Sequence, residues 1–369
     1  MTVKPGILFI AEPNWDSPIY NTIVKDKFQV EHYDLHSSNS EDFLDALKTT
    51  FNSSSKPLSA IYGGFMGFNA VGGLTRGLLE DERFPSDTLK CVVLCSRGVN
   101  GIDFDAVKEH GIEIYNYSDE DEGTTINGFK TIAQAGLVSD DVANCALWHV
   151  LEGYRKFSFH QMHLRKTGHT FRSRSRAAGE GPESKEFMFG HTLTSLEIKS
   201  PRGRKALILG LGGIGKQIAS KLQNGLGMEV HYAKRSCDPT VSWPFHKLDS
   251  LLYPHLSQFD AIVIALPGTP ETRHLVNHEF LSSCSEELIL VNIGRGTIID
   301  PEAISEAKSN HRIRHLGLDV YYHEPEVEDW LLEDNETATI TPHIGSGTKN
   351  NFDQSCEYAL GKALSCCFP

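Results

Sequence analysis

The clearest chemistry-bearing motif in the sequence is a run of glycines between an apolar stretch and a helical pattern. In ALILGLGGIGKQIASKL the apolar run ends at Gly210, and Gly212 and Gly215 follow at the spacing Gly-x-Gly-x-x-Gly. Gly210 permits a tight turn, Gly212 lets backbone amides approach a pyrophosphate, and Gly215 lets the helix pack closely on the strand. The motif predicts a dinucleotide site, and the alternative is a glycine-rich packing turn. The predicted contacts are Gly210, Gly212, Gly213, Ile214 and Gly215.

The end of the next predicted strand indicates which dinucleotide is bound. An NAD site usually has Asp or Glu there, about 20 residues after the glycines, to hold the ribose 2′-hydroxyl. This chain has Lys234, Arg235 and Ser236 instead, and no carboxylate before Asp238. Two cations and a hydroxyl suit a 2′-phosphate through charge-assisted hydrogen bonds, so we predict NADP(H) in preference to NAD(H). The alternative is that Lys234 and Arg235 only form a solvated strand end.

Three further motifs follow strands later in the chain. They are VNIGRGTIID (291–300), GLDVYYHEP (317–325) and TPHIGSGT (341–348). Ligands of open α/β sheets bind beyond the carboxyl ends of the strands. In this order and spacing, together with GLGGIG, the motifs resemble the D-isomer-specific 2-hydroxyacid dehydrogenases, and the resemblance begins at CSRGVNGID (95–103). Within that family the chain is similar to the fungal D-mandelate dehydrogenases and the glyoxylate/hydroxypyruvate reductases.

Three residues of these motifs suit the reduction of a 2-oxo acid. Arg295 offers a planar fork for the carboxylate and the ketone oxygen. His343 can donate a proton as general acid and accept it in the reverse direction. Glu324 can hold the other imidazole nitrogen, fix the tautomer and raise the proton affinity of the histidine. The resemblance assigns the catalytic roles to these three residues; taken singly, each is more often a structural loop residue.

The resemblance also implies further cofactor contacts at the ends of the strands. On the adenosine side they are Leu266, Pro267 and Thr272, and toward the nicotinamide they are Ile293, Gly294, Asp319 and Gly345. Asp319 is expected either near the nicotinamide amide or as a group that tunes the histidine–glutamate pair. No metal ligand is predicted.

The first domain is expected to supply substrate contacts. In the family, backbone amides of a turn after the fourth strand hold the substrate carboxylate, which places Arg97 and Gly98 in that role. Gly64 should line the pocket, although a tight turn is an equal alternative. The family turn usually reads Gly-x-Asp, whereas this chain has Asn100. The sequence therefore does not identify the substrate. The predicted substrate-binding set is Gly64, Arg97, Gly98, Arg295 and His343.

Short β-rich runs alternate with helical patterns over the whole chain, which favours parallel sheets with helices on both faces. The predicted strands lie at 6–12, 28–34, 59–64, 89–96 and 112–117, and then at 204–210, 228–234, 259–267, 288–294, 313–320 and 337–342. The last helix, 347–367, is expected to pack back on the first unit. We predict two Rossmann- or flavodoxin-like α/β domains with the active site in the cleft between them. Residues 1–120 plus 345–369 would bind substrate, and 121–344 would bind NAD(P).

Two segments stand outside the alternation of strands and helices. The stretch 118–140 has no clear hydrophobic periodicity and predicts a loop. The segment 165–185 is basic and then rich in Gly and Ser, so it predicts an exposed surface segment. Its arginines at 172, 174 and 176 suit a solvated run better than a nucleic-acid patch in an acidic chain. The amphipathic helix 142–157 is the expected contributor to a homodimer, although its apolar face could simply be core.

The composition disfavours several classes of protein. Among 369 residues, 35 are Lys or Arg and 48 are Asp or Glu, and the net charge of −13 does not suit general binding to nucleic-acid backbones. No apolar run approaches the ~20 residues that span a bilayer, and the N-terminus does not resemble a signal peptide. Eight scattered cysteines without CxxC spacing argue against a zinc site or a disulfide framework, so a reduced, cytoplasmic location is expected.

Two functions remain open from the sequence. The first is reversible, NADPH-dependent reduction of a 2-oxo acid, such as glyoxylate, hydroxypyruvate or an aromatic 2-oxo acid, to the D-2-hydroxy acid. The second is a dinucleotide-sensing binding protein similar to the corepressors among the family's relatives. Turnover discriminates between them, because a sensor would bind the cofactor and oxidise little of it.

Overall fold

The computed structural model describes residues 3–51, 55–99, 101–118, 125–126, 129–130, 135–180, 187–194 and 196–368. The chain divides into two compact units. Unit 1 comprises Met1–Leu137 and Gly347–Pro369, and unit 2 comprises Val138–Ser346. Unit 2 is therefore inserted, in sequence, between the two segments of unit 1.

Unit 1 is built on a five-stranded parallel sheet. Its strands are β1 (Gly6–Phe9), β2 (Gln29–His32), β3 (Leu58–Gly64), β4 (Cys91–Leu94) and β5 (Glu113–Tyr115). Their order is β2-β1-β3-β4-β5, the flavodoxin-like doubly wound order. All seven residues of β3 are buried, as expected for a strand covered on both faces. Four of these strands lie inside predicted ones and β3 begins one residue before its predicted start at 59, so the five strand predictions are confirmed.

Short helices connect the strands of unit 1. They are α1 (Lys25–Lys27), preceded by a π-helical turn at Tyr20–Val24, then α2 (Ser40–Thr50), α3 (Arg76–Leu79) and α4 (Phe104–Glu109). Side chains cap three of them, because Asn39 accepts the amide of Asp42 at 3.0 Å, Thr75 that of Leu78 at 3.3 Å and Asp103 that of Ala106 at 3.0 Å. A short antiparallel pair, β6 (Thr125–Ile126) and β7 (Phe129–Lys130), follows.

Three helices precede the sheet of unit 2. They are α5 (Leu137–Arg155), α6 (Phe157–Thr167) and α7 (Thr170–Ala177). Most described residues of the predicted exposed segment 165–185 are exposed, which confirms that prediction, and they lie on the regular helices α6 and α7 and in the turns beside them. Ser173, Ser175 and Ala177 are buried, so the small residues between the arginines turn inward. Residues 181–186 and most of the predicted loop 118–140 lie outside the described residues, and the last part of that stretch is the first turn of α5.

Unit 2 carries a seven-stranded parallel sheet. Its strands are β8 (Lys205–Leu209), β9 (Glu229–Lys234), β10 (Phe245–Lys247), β11 (Ala261–Ile264), β12 (Leu288–Asn292), β13 (Ile313–Leu318) and β14 (Ala338–Ile340). The order is β10-β9-β8-β11-β12-β13-β14, whose first six strands follow the Rossmann pattern with its switch point between β8 and β11. The sequence missed β10, since three half-exposed residues at a sheet edge show no periodicity.

The helices of unit 2 cover this sheet and the last helix of the chain covers the other. They are α8 (Gly213–Leu226), α9 (His278–Ser283), α10 (Pro301–Ser309), α11 (Asp329–Glu333) and finally α12 (Lys349–Cys367). The prediction that the last helix packs on the first unit is confirmed, because Leu360 and Ala363 lie in one buried cluster with Ile7, Tyr62 and Val93. Among the described residues, no helix is both long and apolar enough to cross a membrane.

Candidate active site

The glycine turn after β8 is shaped by close contacts that exclude side chains. A Cβ on Gly215 would lie 2.1 Å from the carbonyl oxygen of Gly210. Gly210 itself has φ +96°, and a Cβ there would lie 2.7 Å from the oxygen of Ala265. Gly212 differs from both because no atom lies within 4 Å of its Cβ position, so its surroundings are open. The turn thus has two packing glycines and one glycine that faces free space, as a ligand cradle requires.

The amides that follow this turn are free of side-chain caps. Gly212 is the N-cap of α8, and no side chain caps the helix there. The first amides of a 14-residue helix, from Gly213, Ile214 and Gly215, therefore suit an anion, and the helix dipole adds to the attraction. These features fit the pyrophosphate of a dinucleotide.

The end of β9 carries two cations and an engaged carboxylate. Lys234 is half-buried, and Arg235 and Ser236 are exposed. The carboxylate of Asp238 accepts the hydroxyl of Thr240 at 2.5 Å and pairs with Lys216 at 2.9 Å. These contacts hold the pKa of Asp238 well below its usual range. The nearest carboxylate is therefore occupied by its own neighbours.

Two loops meet beyond the switch point of the unit 2 sheet. Thr272 closes the loop after β11, because its hydroxyl donates to the carbonyl of Pro267 at 2.7 Å and accepts the amide of Thr269 at 2.8 Å. After β12, Gly294 packs so closely that a Cβ there would lie 2.5 Å from the oxygen of Leu266. Ile293, next to it, is buried. The structure thus brings together four predicted cofactor residues, Leu266, Pro267, Ile293 and Gly294, with Thr272 bracing them.

Arg295 lies on the next turn, which hydrogen bonds from Asn292 hold in place. The buried side chain of Asn292 donates to the carbonyl of Arg295 at 2.9 Å and accepts the amide of Gly294 at 3.0 Å. The guanidinium of Arg295 donates to the carbonyl of Gly294 at 2.6 Å. Gly296 is required next, since a Cβ there would lie 1.8 Å from the oxygen of Tyr321. This contact draws the arginine turn against the loop that carries Glu324.

His343 and Glu324 form the central pair of the site. The imidazole Nδ1 lies 3.1 Å from Oε2 of Glu324, and the other carboxylate oxygen accepts the amide of Tyr321 at 2.9 Å. The hydrogen bond to Glu324 raises the pKa of His343 above its usual value, against the opposing effects of burial and of Arg295. Burial pushes the pKa of Glu324 upward, but the hydrogen bonds from His343 and Tyr321 bring it below its usual value. The pair therefore favours a protonated imidazole beside an ionised carboxylate.

Asp319 holds the backbone of the same turn. His343 has a left-handed backbone, with φ +53°, which is costly for a residue with a side chain. The buried carboxylate of Asp319 accepts the amides of Ile344 at 2.9 Å and Gly345 at 2.8 Å, one on each oxygen. It also accepts the hydroxyl of Thr341 at 2.6 Å. Asp319 thus ties down both sides of the unusual turn.

The predicted substrate residues of unit 1 lie at the carboxyl ends of adjacent strands. Gly64 is the last residue of β3, has φ +61°, and pairs with Leu94 of β4. Arg97 and Gly98 follow β4, where Ser96 donates to the carbonyl of Gly98 at 2.8 Å and Asn116 donates to that of Arg97 at 2.8 Å. Both turns are therefore defined, and Asn100 lies outside the described residues.

Comparison with known proteins identifies the family. A family model described as "D-isomer specific 2-hydroxyacid dehydrogenase, NAD binding domain" matches residues 169–345. A Saccharomyces cerevisiae protein named "putative 2-hydroxyacid dehydrogenase" is 49% identical over 368 residues, which cover 98% of this chain and 94% of that protein. The chain belongs to the D-isomer-specific 2-hydroxyacid dehydrogenase family.

Solved structures support the fold of this 2-hydroxyacid dehydrogenase. The apo form of Rhodotorula graminis D-mandelate dehydrogenase has a TM-score of 0.74 at 22% identity and covers 97% of this chain and 92% of its own. An NADPH-dependent glyoxylate/hydroxypyruvate reductase from Sinorhizobium meliloti, in complex with NADP and malonate, has a TM-score of 0.69 at 22% identity, with 97% and 92% coverage. The predicted family and the two-sheet α/β fold class are confirmed.

Two residues of the dehydrogenase site escaped the sequence analysis. Asn292 lies inside the predicted strand 288–294 and was assigned no role, although a polar residue at the end of an apolar run and before a glycine turn was a usable signal. Thr341 precedes the Pro-His pair and gave no signal, because its partner Asp319 is distant in sequence. Among the described residues, no group of three or more His, Cys, Asp or Glu side chains could hold a metal ion.

Proposed function

We propose that this dehydrogenase reduces a 2-oxo acid to the D-2-hydroxy acid with NADPH, reversibly, and that Arg295, Glu324 and His343 carry the catalysis. The observation that supports this most strongly is the 3.1 Å pair between His343 and Glu324. The pair lies beyond the strand ends of the unit whose glycine turn suits a dinucleotide. The reduced nicotinamide, when bound, supplies the hydride.

His343 acts as the general acid of the reduction. Glu324 occupies Nδ1, which leaves Nε2 to carry the transferred proton. When hydride adds to the ketone carbon, the ketone oxygen gains negative charge and takes the proton from the imidazolium, which becomes neutral. The hydrogen bond to Glu324 raises the pKa of His343 and so favours the protonated imidazole that the reduction requires. In the oxidative direction the neutral imidazole accepts the proton.

Arg295 anchors and polarises the substrate. Its planar guanidinium matches a carboxylate and can also donate to the ketone oxygen. Its positive charge lowers the pKa values of both Glu324 and His343, so it acts on both members of the pair. Gly64, Arg97 and Gly98 of unit 1 are proposed as further substrate contacts, through the backbone of their two turns.

We favour NADP(H) over NAD(H) as the cofactor. Lys234, Arg235 and Ser236 offer charge and hydrogen bonds to a 2′-phosphate. Asp238, the first carboxylate after them, is held by Lys216 and Thr240 and is poorly placed to serve a ribose hydroxyl. The Sinorhizobium meliloti neighbour is named as NADPH-dependent, which agrees with this proposal.

The wider setting of the enzyme is also part of the proposal. Unit 2 would bind the cofactor and unit 1 the substrate, for which glyoxylate, hydroxypyruvate and aromatic 2-oxo acids are the candidates. We propose a homodimer in the cytosol, where eight unpaired cysteines would stay reduced. The buried face of α5 packs inside unit 2, so a dimer contact there would use exposed residues such as Trp148. Sedimentation of the wild-type protein and of Trp148→Glu tests that contact.

Absorbance of the reduced nicotinamide tests the activity. Glyoxylate, hydroxypyruvate, pyruvate and phenylglyoxylate would each be assayed with NADPH and with NADH, and Arg295→Ala and His343→Ala serve as controls. We expect NADPH oxidation that both substitutions abolish. Tight NADPH binding without turnover on any 2-oxo acid would contradict the proposal and favour the sensor function. Faster oxidation of NADH would contradict the cofactor assignment.

A further inference from the structure

Unit 2 contains a line of polar side chains, four buried and two half-buried, that the proposed chemistry does not use. It starts at the end of α5 and reaches the carboxylate that holds the His343 turn. Each member lies within hydrogen-bond distance of the next. The members, in order, are Lys156, His315, Thr339, His149, Thr341 and Asp319.

The first half of this polar line joins α5 to two strands of the sheet. The Nζ of Lys156 lies 2.8 Å from Nδ1 of His315 on β13. The Nε2 of the same ring lies 2.9 Å from the hydroxyl of Thr339 on β14. Lys156 and His315 are each 1% exposed, so water does not compete for these bonds. A buried amine and a buried imidazole are costly unless paired, and each satisfies the other.

The second half of the polar line crosses back to α5 and ends at the site. The hydroxyl of Thr339 lies 2.7 Å from Nδ1 of His149, which has no exposed surface. The Nε2 of His149 lies 3.3 Å from the hydroxyl of Thr341, and that hydroxyl lies 2.6 Å from Oδ1 of Asp319. Asp319 then accepts the backbone amides of Ile344 and Gly345, the two residues that follow His343.

Only one assignment of donors and acceptors satisfies every hydrogen bond of the polar line. A carboxylate accepts but does not donate, so the hydroxyl of Thr341 donates to Asp319 and must accept from Nε2 of His149. The Nδ1 of that neutral ring then accepts from Thr339, whose oxygen accepts from Nε2 of His315. The remaining nitrogen of His315 accepts from Lys156. Every proton of the line therefore points toward Asp319.

The titration of the buried groups agrees with this direction. Burial lowers the pKa of His149 to about 3 and holds that of His315 well below its usual value, so both rings are neutral at physiological pH. A neutral ring has one donor and one acceptor nitrogen, as the line requires. Burial and the charges of Arg314 and Lys308 lower the pKa of Lys156 to about 7. The amine can donate in either protonation state.

We propose that this polar line is a positioning device for the catalytic histidine, in which His149 and Thr341 orient the carboxylate of Asp319 so that the His343 turn keeps its imidazole against Glu324. The inference rests on the proposed function, because the position of His343 affects the reaction only if this residue is the general acid. Thr341, His149 and the residues behind them act through Asp319 and do not touch the reacting atoms. Hydrogen-bond partners one step behind metal ligands commonly change activity by about 10- to 100-fold, and we expect an effect of the same order here.

The substitution that tests this most directly is Thr341→Val, which keeps the shape of the side chain and removes the hydroxyl. His149→Leu breaks the line one step earlier. Thr341→Ser keeps the hydroxyl and should restore function. Thr337→Val is the matched control, because Thr337 lies just before β14 and also donates to an aspartate, Asp334, at 2.6 Å. That bond belongs to a cluster with Lys308 that, among the described residues, shares no hydrogen bond with the polar line.

Two measurements on the full chain read the position of His343. Labelled-histidine NMR titration gives its pKa without cofactor or turnover, with the resonance assigned by its loss in His343→Gln. The charged groups that face His343 are Glu324, Asp319 and Arg295. Since the hydrogen bond to Glu324 is the main cause of the raised pKa, a displaced turn lowers it. The pH profile of kcat gives the same quantity during turnover.

We expect the pKa of His343 to fall in Thr341→Val, kcat to fall about tenfold, and the KM for NADPH to change less than twofold. In His149→Leu the pKa of His343 should also fall, and kcat should fall about threefold. Thr341→Ser should match the wild-type protein in both quantities. An unchanged His343 pKa in folded Thr341→Val, or an equal fall in Thr337→Val, would overturn the inference. A wild-type protein without turnover would refute the proposed function, while the NMR titration would still decide the positioning role.

Discussion

Two carboxylates hold the turn that carries His343, and they touch different parts of it. Glu324 contacts the imidazole ring, and its side chain is 37% exposed. Asp319 contacts the backbone amides after the ring, and it is 2% exposed. The first contact is the main cause of the raised pKa of the ring, whereas the second holds the backbone that positions the ring and raises that pKa less. Substitution of each carboxylate should therefore affect mainly one of the two properties.

The largest effect on kcat is expected when the side chain of His343 is removed. His343→Ala deletes the general acid, and kcat for 2-oxo acid reduction should fall by about 10²- to 10⁴-fold. Binding of NADPH, measured by quenching of protein fluorescence, should stay within about threefold. A variant that keeps substantial kcat would show that another group supplies the proton.

The next effect is expected from the carboxylate that controls position. Each oxygen of Asp319 accepts a backbone amide, so in Asp319→Asn the side-chain NH₂ must face a backbone N–H in either orientation. We expect kcat on the acid plateau of its pH profile to fall about 100-fold. Asp334→Asn, in the cluster with Lys308, is the control and should stay within twofold. If kcat of Asp319→Asn reached the wild-type value on the acid plateau, Asp319 would not control the position of His343.

A smaller and pH-dependent effect is expected from the carboxylate that controls proton affinity. Reduction needs protonated His343, so activity is present below its pKa and is lost as the pH rises through it. Glu324→Gln removes the main cause of the raised pKa, so the falling limb should move to lower pH. At neutral pH kcat should fall about tenfold, and at acid pH it should approach the wild-type value. An unmoved limb in the measured pH profile would contradict this role.

The smallest effects concern stability and separate the carboxylates again. Hydrogen bonds to a buried charge contribute about 1.5–3 kcal/mol, so Asp319→Asn should lower the free energy of unfolding by about 2 kcal/mol. Glu324 and His343 are more exposed, so Glu324→Gln should change it by less than about 1 kcal/mol. Urea unfolding near pH 7 measures both. Equal losses would indicate that exposure does not distinguish the two residues.

The parts of the site that the sequence predicted are those whose chemistry is local. The glycine turn needs Gly210 and Gly215 because the strand and the helix that flank it pack within a few ångströms. His343, Glu324 and Arg295 each lie in a short motif at a strand end, where parallel sheets place their ligands. Most strands were predictable for the same reason, since a buried run such as β3 is continuous along the chain, whereas the short edge strand β10 was missed.

The parts that the sequence did not predict depend on contacts between distant residues. His149 lies on the apolar face of α5, where the sequence indicates core or a dimer contact, and only Thr339 and Thr341 show its polar role. Those partners are 190 and 192 residues away along the chain. Similarly, the burial of Ser173 and Ser175 in α7 depends on tertiary packing, which a basic, serine-rich composition does not suggest.

The packing of α12 has a consequence for the synthesis of the protein. One face of the unit 1 sheet, including Ile7, Tyr62 and Val93, is covered by Leu360 and Ala363 of this helix. A ribosome makes the strands of that sheet first and the covering helix only after all of unit 2. The part of this face that α12 covers therefore stays open throughout the intervening translation, during which unit 2 can already fold. Nascent chains that stop before α12 would expose this face to chaperones, and it is the surface through which they would aggregate.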